Sequence, residues 1–264
     1  MPILQFQCKT SLSMTSHRLV ATIACRNAGS RLYGKPLQNL DIDSGYTILE
    51  NIISCLRTIP CINEIVLAIS EGTENMVFQE VASKHNLKFV VGDEQDVLSR
   101  LIKAGIASSA TDIFRITSES PFLYFDEVMS CWNEYKTQQL DALFMEPIVD
   151  GCGFEIISLE SLIRSHENGT SKHRSEMCSL YIRENAEEFK VLRVEPPKEL
   201  QRFDLRLTVD NPEDLAVCRH IFKSLNAHAP LIPLSEIVAF LDRNPSLISL
   251  TAPFAESGYQ TMYL

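Results

Sequence analysis

Residues Leu19 to Cys25 run without interruption through apolar and small side chains, and the run stops at a loop crowded with charge. A short stretch of this kind, rich in β-branched residues and with no polar face, reads as a strand buried on both sides, as in a parallel sheet. The loop after it carries Arg26, Arg31 and Lys35 together with Gly29 and Gly34. Glycines let a backbone come close to a ligand, and the main-chain N–H groups of such a turn form an anion nest. The whole chain has a formal net charge of -10. Three cations on one turn of an acidic protein point to a small bound anion, most simply a nucleotide triphosphate.

The pattern beyond the loop agrees with a sheet of this type. Residues 47–57 carry an apolar stripe (Ile48, Leu49, Ile52, Ile53, Leu56) that predicts a helix. Strands are expected at 65–69, 87–91 and 112–116, with helices at 73–84 and 93–107 between them. A strand at 156, helices at 159–166 and 174–185, strand-like stretches at 189–194 and 203–209, and helices at 213–225 and 234–243 complete the pattern. Strand and helix alternating over short connections predict an α/β fold, a mostly parallel central sheet with helices on both faces. One domain is expected over 19–245, with 1–18 a flexible N-terminal extension and 246–264 a C-terminal tail. The extension is Ser/Thr-rich without the apolar core of a secretory signal, and Met14 is an alternative start.

Composition narrows the function classes. With 264 residues the chain can bury a substantial core. A pI near 5.1 argues against a general nucleic-acid binder, which must neutralise phosphates. No apolar stretch is long enough to span a membrane, so no membrane association is expected. The eight cysteines show neither Cys-x-x-Cys nor zinc spacing. They read as reduced, mostly buried thiols of a cytoplasmic protein, Cys25 and Cys152 included.

The charged loop is not a Walker loop, because Pro36 stands where a magnesium-binding Ser or Thr is needed. The dinucleotide fingerprint is also absent. Residues Cys25 to Leu37 instead resemble the signature Ala-Arg-x-x-Ser-x-Arg-Leu-x-Gly-Lys-Pro-Leu of the sugar cytidylyltransferases. Cys25 stands at the alanine position and Gly29 at the serine position. The resemblance is to the branch holding spore-coat polysaccharide synthesis, CMP-KDO synthetase-like and acylneuraminate cytidylyltransferase-like proteins. It implies a Rossmann-like fold of the nucleotide-diphospho-sugar transferase type. It also implies that Arg26, Asn27, Gly29, Ser30, Arg31 and Lys35 bind nucleotide, with Arg26 and Lys35 acting in catalysis.

Five more segments carry the resemblance. Residues Val91 to Arg100 are similar to the family's Gly-Asp-Glu-x-Asp-Val-Leu-x-Arg, which puts Asp96 and Arg100 beside the nucleotide. Asp93, Glu94 and Asp96 have a second explanation as helix caps. Arg115 to Pro121 resembles Arg-x-Thr-Gly-Asp-x-Pro, with Glu119 in place of the metal-binding aspartate. Ser118 replaces the glycine, and strain is expected there if its φ is positive. Val149 to Glu155 and His173 to Ile182 resemble acceptor-side segments, which implies substrate-binding roles for Glu155, His173, Arg174 and Glu176. Gly153 stands where the family has an aspartate. Finally, Arg206 to Leu215 resembles Arg-x-Thr-Val-Asp-x-Pro-Glu-Asp-Leu, implying that Arg206 meets substrate and that Asp210 is the second metal carboxylate. Asn211 and Pro212 also make a good helix start.

These implications describe an enzyme that transfers CMP from CTP to an acidic small-molecule acceptor, with Mg²⁺ held by Glu119 and Asp210 and pyrophosphate released. The acceptor expected is an acidic sugar of the ulosonic or nonulosonic type, with phosphonates or phosphorylated small molecules as the alternative. A homodimer is also expected. Two other readings remain open at this point: a nucleotide-binding homologue without turnover, and an unrelated α/β enzyme using another nucleotide.

Overall fold

The structure, a computed structural model, describes residues 17–29 and 31–262. Ser30 and residues 1–16 of the N-terminal extension lie outside the described residues. In chain order the elements begin with β1 (Leu19–Cys25), a small hairpin of β2 (Asn39–Asp41) and β3 (Tyr46–Thr47), and α1 (Ile48–Thr58). Next come β4 (Ile62–Ser70), α2 (Val77–Lys84), β5 (Lys88–Gly92), α3 (Val97–Ala107), β6 (Asp112–Thr117), α4 (Val128–Gln138) and β7 (Ala142–Met145). The chain continues through β8 (Glu155–Ser158), α5 (Leu159–Asn168), α6 (Ser171–Arg174), α7 (Leu180–Glu184) and β9 (Val191–Val194). It closes with α8 (Pro212–Leu225), α9 (Leu234–Asp242) and α10 (Pro245–Met262).

One seven-stranded sheet in the order β5-β4-β1-β6-β8-β7-β9 organises the domain. All its neighbours pair in parallel except at β8, which is antiparallel to both β6 and β7. The expected fold class is the one observed. β1 lies inside the sheet, and alternate side chains enter different cores. Leu19, Ala21, Ile23 and Cys25 join the larger core, and Val20 joins the smaller. That division explains why the run has no polar face. Helices α1, α2, α4, α8 and α9 cover the larger core, while α3, α5 and α7 cover the smaller.

Local chemistry sets the helix starts. Thr47 and Glu50 close a capping box at α1, where the Glu50 N–H donates to Thr47 Oγ1 and the Thr47 N–H donates to Glu50. Asn211 and Asp214 do the same at α8, and Pro212 takes the first helical position as the sequence suggests.

Three segments differ from expectation. Residues 174–185 are not one helix, because Thr170 and His173 form a capping box that starts the single turn α6, and Ser175 is extended. Residues 203–209 make only one bridge, Asp150 to Arg206, because Gly151 (φ 88) turns the facing chain away after it. Finally, residues 246–262 of the expected tail continue from Pro245 as α10, which packs on α8 and α9. Leu247, Ile248, Thr251 and Ala255 face inward at helical spacing, a stripe that Pro253 and the short polar residues obscure in the sequence.

Candidate active site

Parallel sheets bind ligands beyond the carboxyl ends of their strands. There a cleft of about 680 Å³ is lined by the loop after β1, the end of β6, the turn at Asp150 and the segment before α8.

The loop after β1 is built around two glycines. Gly34 has φ 61 and donates its N–H to Asn27 O at 2.9 Å, closing the loop. At Gly29 a Cβ would fall 2.3 Å from Leu32 O, so only glycine fits that tight turn. Arg26, Gly29, Arg31 and Lys35 all line the cleft. Asn27 does not. It is buried, its N–H donates to Asn75 Oδ1 at 2.8 Å, and its amide donates to Glu74 O. Its part is to fasten the loop to the turn at 73–75 that follows β4. Ser30 lies outside the described residues.

Two carboxylates meet the cations at the same place. The Val209 N–H donates to Glu119 O at 3.1 Å, which sets Asp210 next to Glu119. Lys35 Nζ lies 2.5 Å from Asp210 Oδ1, and Arg31 and Arg206 both reach Oδ2, Arg31 at 3.3 Å. Burial opposes ionisation of Asp210, but Lys35, Arg206 and Arg31 outweigh it and hold the carboxyl below its usual range. Glu119 goes the other way: burial raises its carboxyl, and the negative charge of Asp210 adds to that against the pull of Lys35. Ser118 is not among the positive-φ residues, so the conditional strain does not arise. Its hydroxyl instead donates to Glu119 Oε2 at 3.0 Å.

Among the described residues, no three Asp, Glu, His or Cys side chains gather as a metal-binding group. Glu119 and Asp210 do bring two carboxylates side by side at the head of the cleft, oxygen donors of the kind a hard cation accepts.

Arg206 organises the floor. It is 3% exposed and donates to Asp150 Oδ2 at 2.6 Å, to Asp214 Oδ1 at 3.1 Å, and to Asp210. Burial, with Asp210 and Asp214 adding repulsion against the pull of Arg206, leaves Asp150 raised to about 6. Gly151 packs against the same segment so closely that a Cβ would sit 2.5 Å from Thr208 N.

The far wall is a network of ion pairs. Glu155 accepts from Arg115 at 2.8 Å, from Arg183 at 2.9 Å and from Ser179 at 2.7 Å. Arg183 also grips Glu146 with bonds of 2.9 and 2.8 Å and stacks over Phe144. Burial disfavours the Glu155 charge, but Arg115 and Arg183 overcome it and bring the carboxyl to about 2. Glu176 lines the mouth of the cleft and pairs with Arg26 at 3.2 Å.

Arg100 lines the cleft and is 1% exposed. Its guanidinium donates to the carbonyls of Asp93, Glu94 (2.9 Å) and Ala68 (3.4 Å), and among the described residues no carboxylate forms an ion pair with it. Three other expected site residues stand apart from the cleft wall. Asp96 caps α3 by accepting from the Ser99 N–H at 2.8 Å, and its other oxygen meets His166 Nε2 at 2.7 Å. The cap takes one oxygen and His166 the other. In the box with Thr170, His173 Nδ1 accepts from the Thr170 N–H at 2.8 Å, and its Nε2 lies 2.8 Å from Glu184. No ring nitrogen is left for an acceptor proton. Arg174 donates to His166 O at 2.9 Å and fastens the α5–α6 turn.

Sequence reasoning misses Glu146, Asp150, Arg183 and Phe254, all of which line the cleft. Asp150 stands inside a family-like motif that assigns it no role. Glu146 and Arg183 lie in stretches without a motif, and Phe254 lies in α10, which the sequence pattern does not reveal. Both cleft-side thiols, Cys25 and Cys152, are fully buried, and burial pushes them far above the ordinary thiol range. Neither is an activated nucleophile. No described helix is long and apolar enough to cross a membrane.

Comparison with known proteins agrees with this geometry. Residues 20–242 match the family model for cytidylyltransferases. MJ1063 of Methanocaldococcus jannaschii is 26% identical over 245 residues, covering 92% of this chain and 98% of that protein. The spore coat polysaccharide biosynthesis protein SpsF of Bacillus subtilis is 24% identical over 228 residues, covering 84% of this chain and 93% of SpsF. A cytidylyltransferase from Leptospira borgpetersenii superposes with a TM-score of 0.79 at 21% identity, covering 88% of this chain and 97% of its own. The family match spans both the cation loop and the Asp210 segment, and the chain belongs to the cytidylyltransferases, a family of nucleotidyltransferases.

Proposed function

We propose that this protein transfers CMP from CTP to an acidic sugar of the ulosonic or nonulosonic type, with Mg²⁺ as cofactor and pyrophosphate as the second product. The observation that carries the reading is the contact of Lys35 with Asp210 at 2.5 Å, with Glu119 alongside. The cation-bearing loop and two carboxylates thus converge on one point of the cleft. A saccharide acceptor is supported by the likeness to a spore coat polysaccharide biosynthesis protein.

Arg26, Arg31 and Lys35 would hold the triphosphate and then the departing pyrophosphate. Glu119 and Asp210 would hold Mg²⁺, which when bound supplies positive charge beside the reacting phosphate oxygens. The acceptor oxygen bonds to the α-phosphorus as the bond to the β-phosphate oxygen breaks, and the acceptor proton leaves to solvent. Catalysis of this kind is mainly positioning and charge stabilisation, and it needs no covalent intermediate. The buried thiols agree with that. The far wall, with Glu155, Arg115 and Arg183, would shape the acceptor end. A homodimer forms part of the proposal, and sedimentation velocity tests it.

The test is thermal stabilisation by CTP, UTP, ATP, GTP and NAD, each with and without Mg²⁺, because a ligand that binds the folded state raises its stability. A CTP-selective, Mg²⁺-enhanced shift is expected, followed by pyrophosphate release in a screen of acidic sugars and phosphonates. Asp210→Asn is expected to lower turnover by about 100-fold or more. No response to CTP, a larger response to NAD, or near wild-type turnover by Asp210→Asn would overturn the reading.

A further inference from the structure

Asp210 receives three cations that are not alike. Lys35 and Arg31 come from the loop after β1, and the Arg31 side chain is 55% exposed. Arg206 comes from beneath, at 3% exposure, and its other two contacts are also carboxylates, Asp150 and Asp214. Asp214 closes the arrangement from the backbone side. Its Oδ2 accepts from the N–H groups of Asp210 at 3.0 Å and Asn211 at 2.8 Å, and from the Asn211 amide at 3.0 Å. Asp210 is therefore held through side chain and main chain by one buried Arg206–Asp214 unit, which Asp150 completes.

We infer that Arg206 is a positioning residue rather than a substrate-binding one: it fixes Asp210 from below so that Lys35 and Arg31 can transfer to the polyphosphate while Asp210 stays in place. The inference rests on the CTP and Mg²⁺ reading above. Its physical basis is the division of labour among the cations. A buried guanidinium that donates through Nε and both Nη atoms to three carboxylates has little left to offer a substrate. An exposed arginine and a single lysine on a glycine turn are free to follow a moving anion. Without the lower anchor, loss of Lys35 and Arg31 to the phosphates would leave Asp210 held by its backbone alone. Lysine at position 206 would keep the charge but could not fork to three partners.

The test separates metal from nucleotide without needing the acceptor. Wild type, Lys35→Met and Arg206→Lys are titrated with CTP in EDTA and with Mn²⁺ at saturating CTP, the first followed by thermal shift and the second by electron paramagnetic resonance of free Mn²⁺. Arg206→Lys is expected to bind CTP in EDTA like wild type and to bind Mn²⁺ at least tenfold more weakly. Lys35→Met is expected to lose CTP affinity in EDTA. If Arg206→Lys does not melt cooperatively, Asp214→Asn carries the same test, with a several-fold loss of Mn²⁺ affinity at unchanged CTP affinity. Unchanged Mn²⁺ affinity in the cooperative variant, or loss of CTP affinity in EDTA equal to that of Lys35→Met, would overturn the inference. If wild type itself binds neither CTP nor Mn²⁺, the functional reading falls and the inference with it. That outcome differs from the others because it appears before any substitution is made.

Discussion

Lys35 and Asp210 stand 175 positions apart in the chain and 2.5 Å apart at the head of the cleft. The contact joins the loop after β1 to the segment before α8, the two strongest sequence signals in the chain. It also joins the opposite charges that a polyphosphate and a divalent cation would each seek.

Lys35→Met follows directly. The substitution removes a charge-assisted contact, the kind that contributes about 1.5–3 kcal/mol. CTP affinity is expected to fall by about 10- to 100-fold. Calorimetric titration of CTP checks it, and unchanged affinity would remove Lys35 from the triphosphate site.

Asp96 is expected to behave as a cap and not as a ligand. Asp96→Ala should destabilise the fold by about 1 kcal/mol, the usual loss for a helix N-cap. CTP affinity should stay within about twofold, since separate sites add independently. Chemical denaturation and CTP titration of one preparation give both numbers. A large loss of CTP affinity with little loss of stability would return Asp96 to the nucleotide site.

Much of this arrangement is legible in the amino-acid sequence. The alternation of strands and helices is plain because each element buries one face or two, and β1 shows no polar face because it buries two. The cation loop and Asp210 are legible because their residue types are unusual where they stand. Capping and ligation, however, use the same acids at the same helix starts. Asp96 fits both roles by sequence, and only the contacts of its two oxygens with Ser99 and His166 separate them. His173 misleads for a related reason, since a polar ring near an expected site gives no sign that both nitrogens are taken. The pairing of Arg183 with Glu146 and Glu155 is not legible, because only the sheet brings together residues 37 and 28 positions apart. Nor is α10, whose stripe is interrupted by Pro253.

Gly151 marks where two backbone segments touch. With φ 88 and a would-be Cβ 2.5 Å from Thr208 N, Gly151→Ala meets both a left-handed strain and a backbone clash. The strain alone is of the order of 1–3 kcal/mol. Relief of the clash must move residues 206–210, so Mn²⁺ affinity should fall together with stability. Gly45 also has a positive φ, but nothing lies within 4 Å of its would-be Cβ, so Gly45→Ala should lose stability alone. Urea unfolding and Mn²⁺ titration of the two variants check the contrast.

Glu155 links the site to the pH dependence of stability. Burial opposes its charge, but Arg115 and Arg183 bring the folded-state carboxyl to about 2, below its ordinary value of 4.5. A carboxyl depressed on folding stabilises the protein above its unfolded value, and the contribution disappears as pH falls through the folded one. Glu155→Gln should therefore cost about 3 kcal/mol at pH 7. The difference from wild type should begin to shrink below pH 4.5, be less than half as large near pH 3, and nearly vanish by about pH 2. Urea unfolding of both proteins at pH 7 and pH 3 measures it. A difference that does not change with pH would mean that the substitution acts through packing, and that the two arginines do not hold Glu155 by charge.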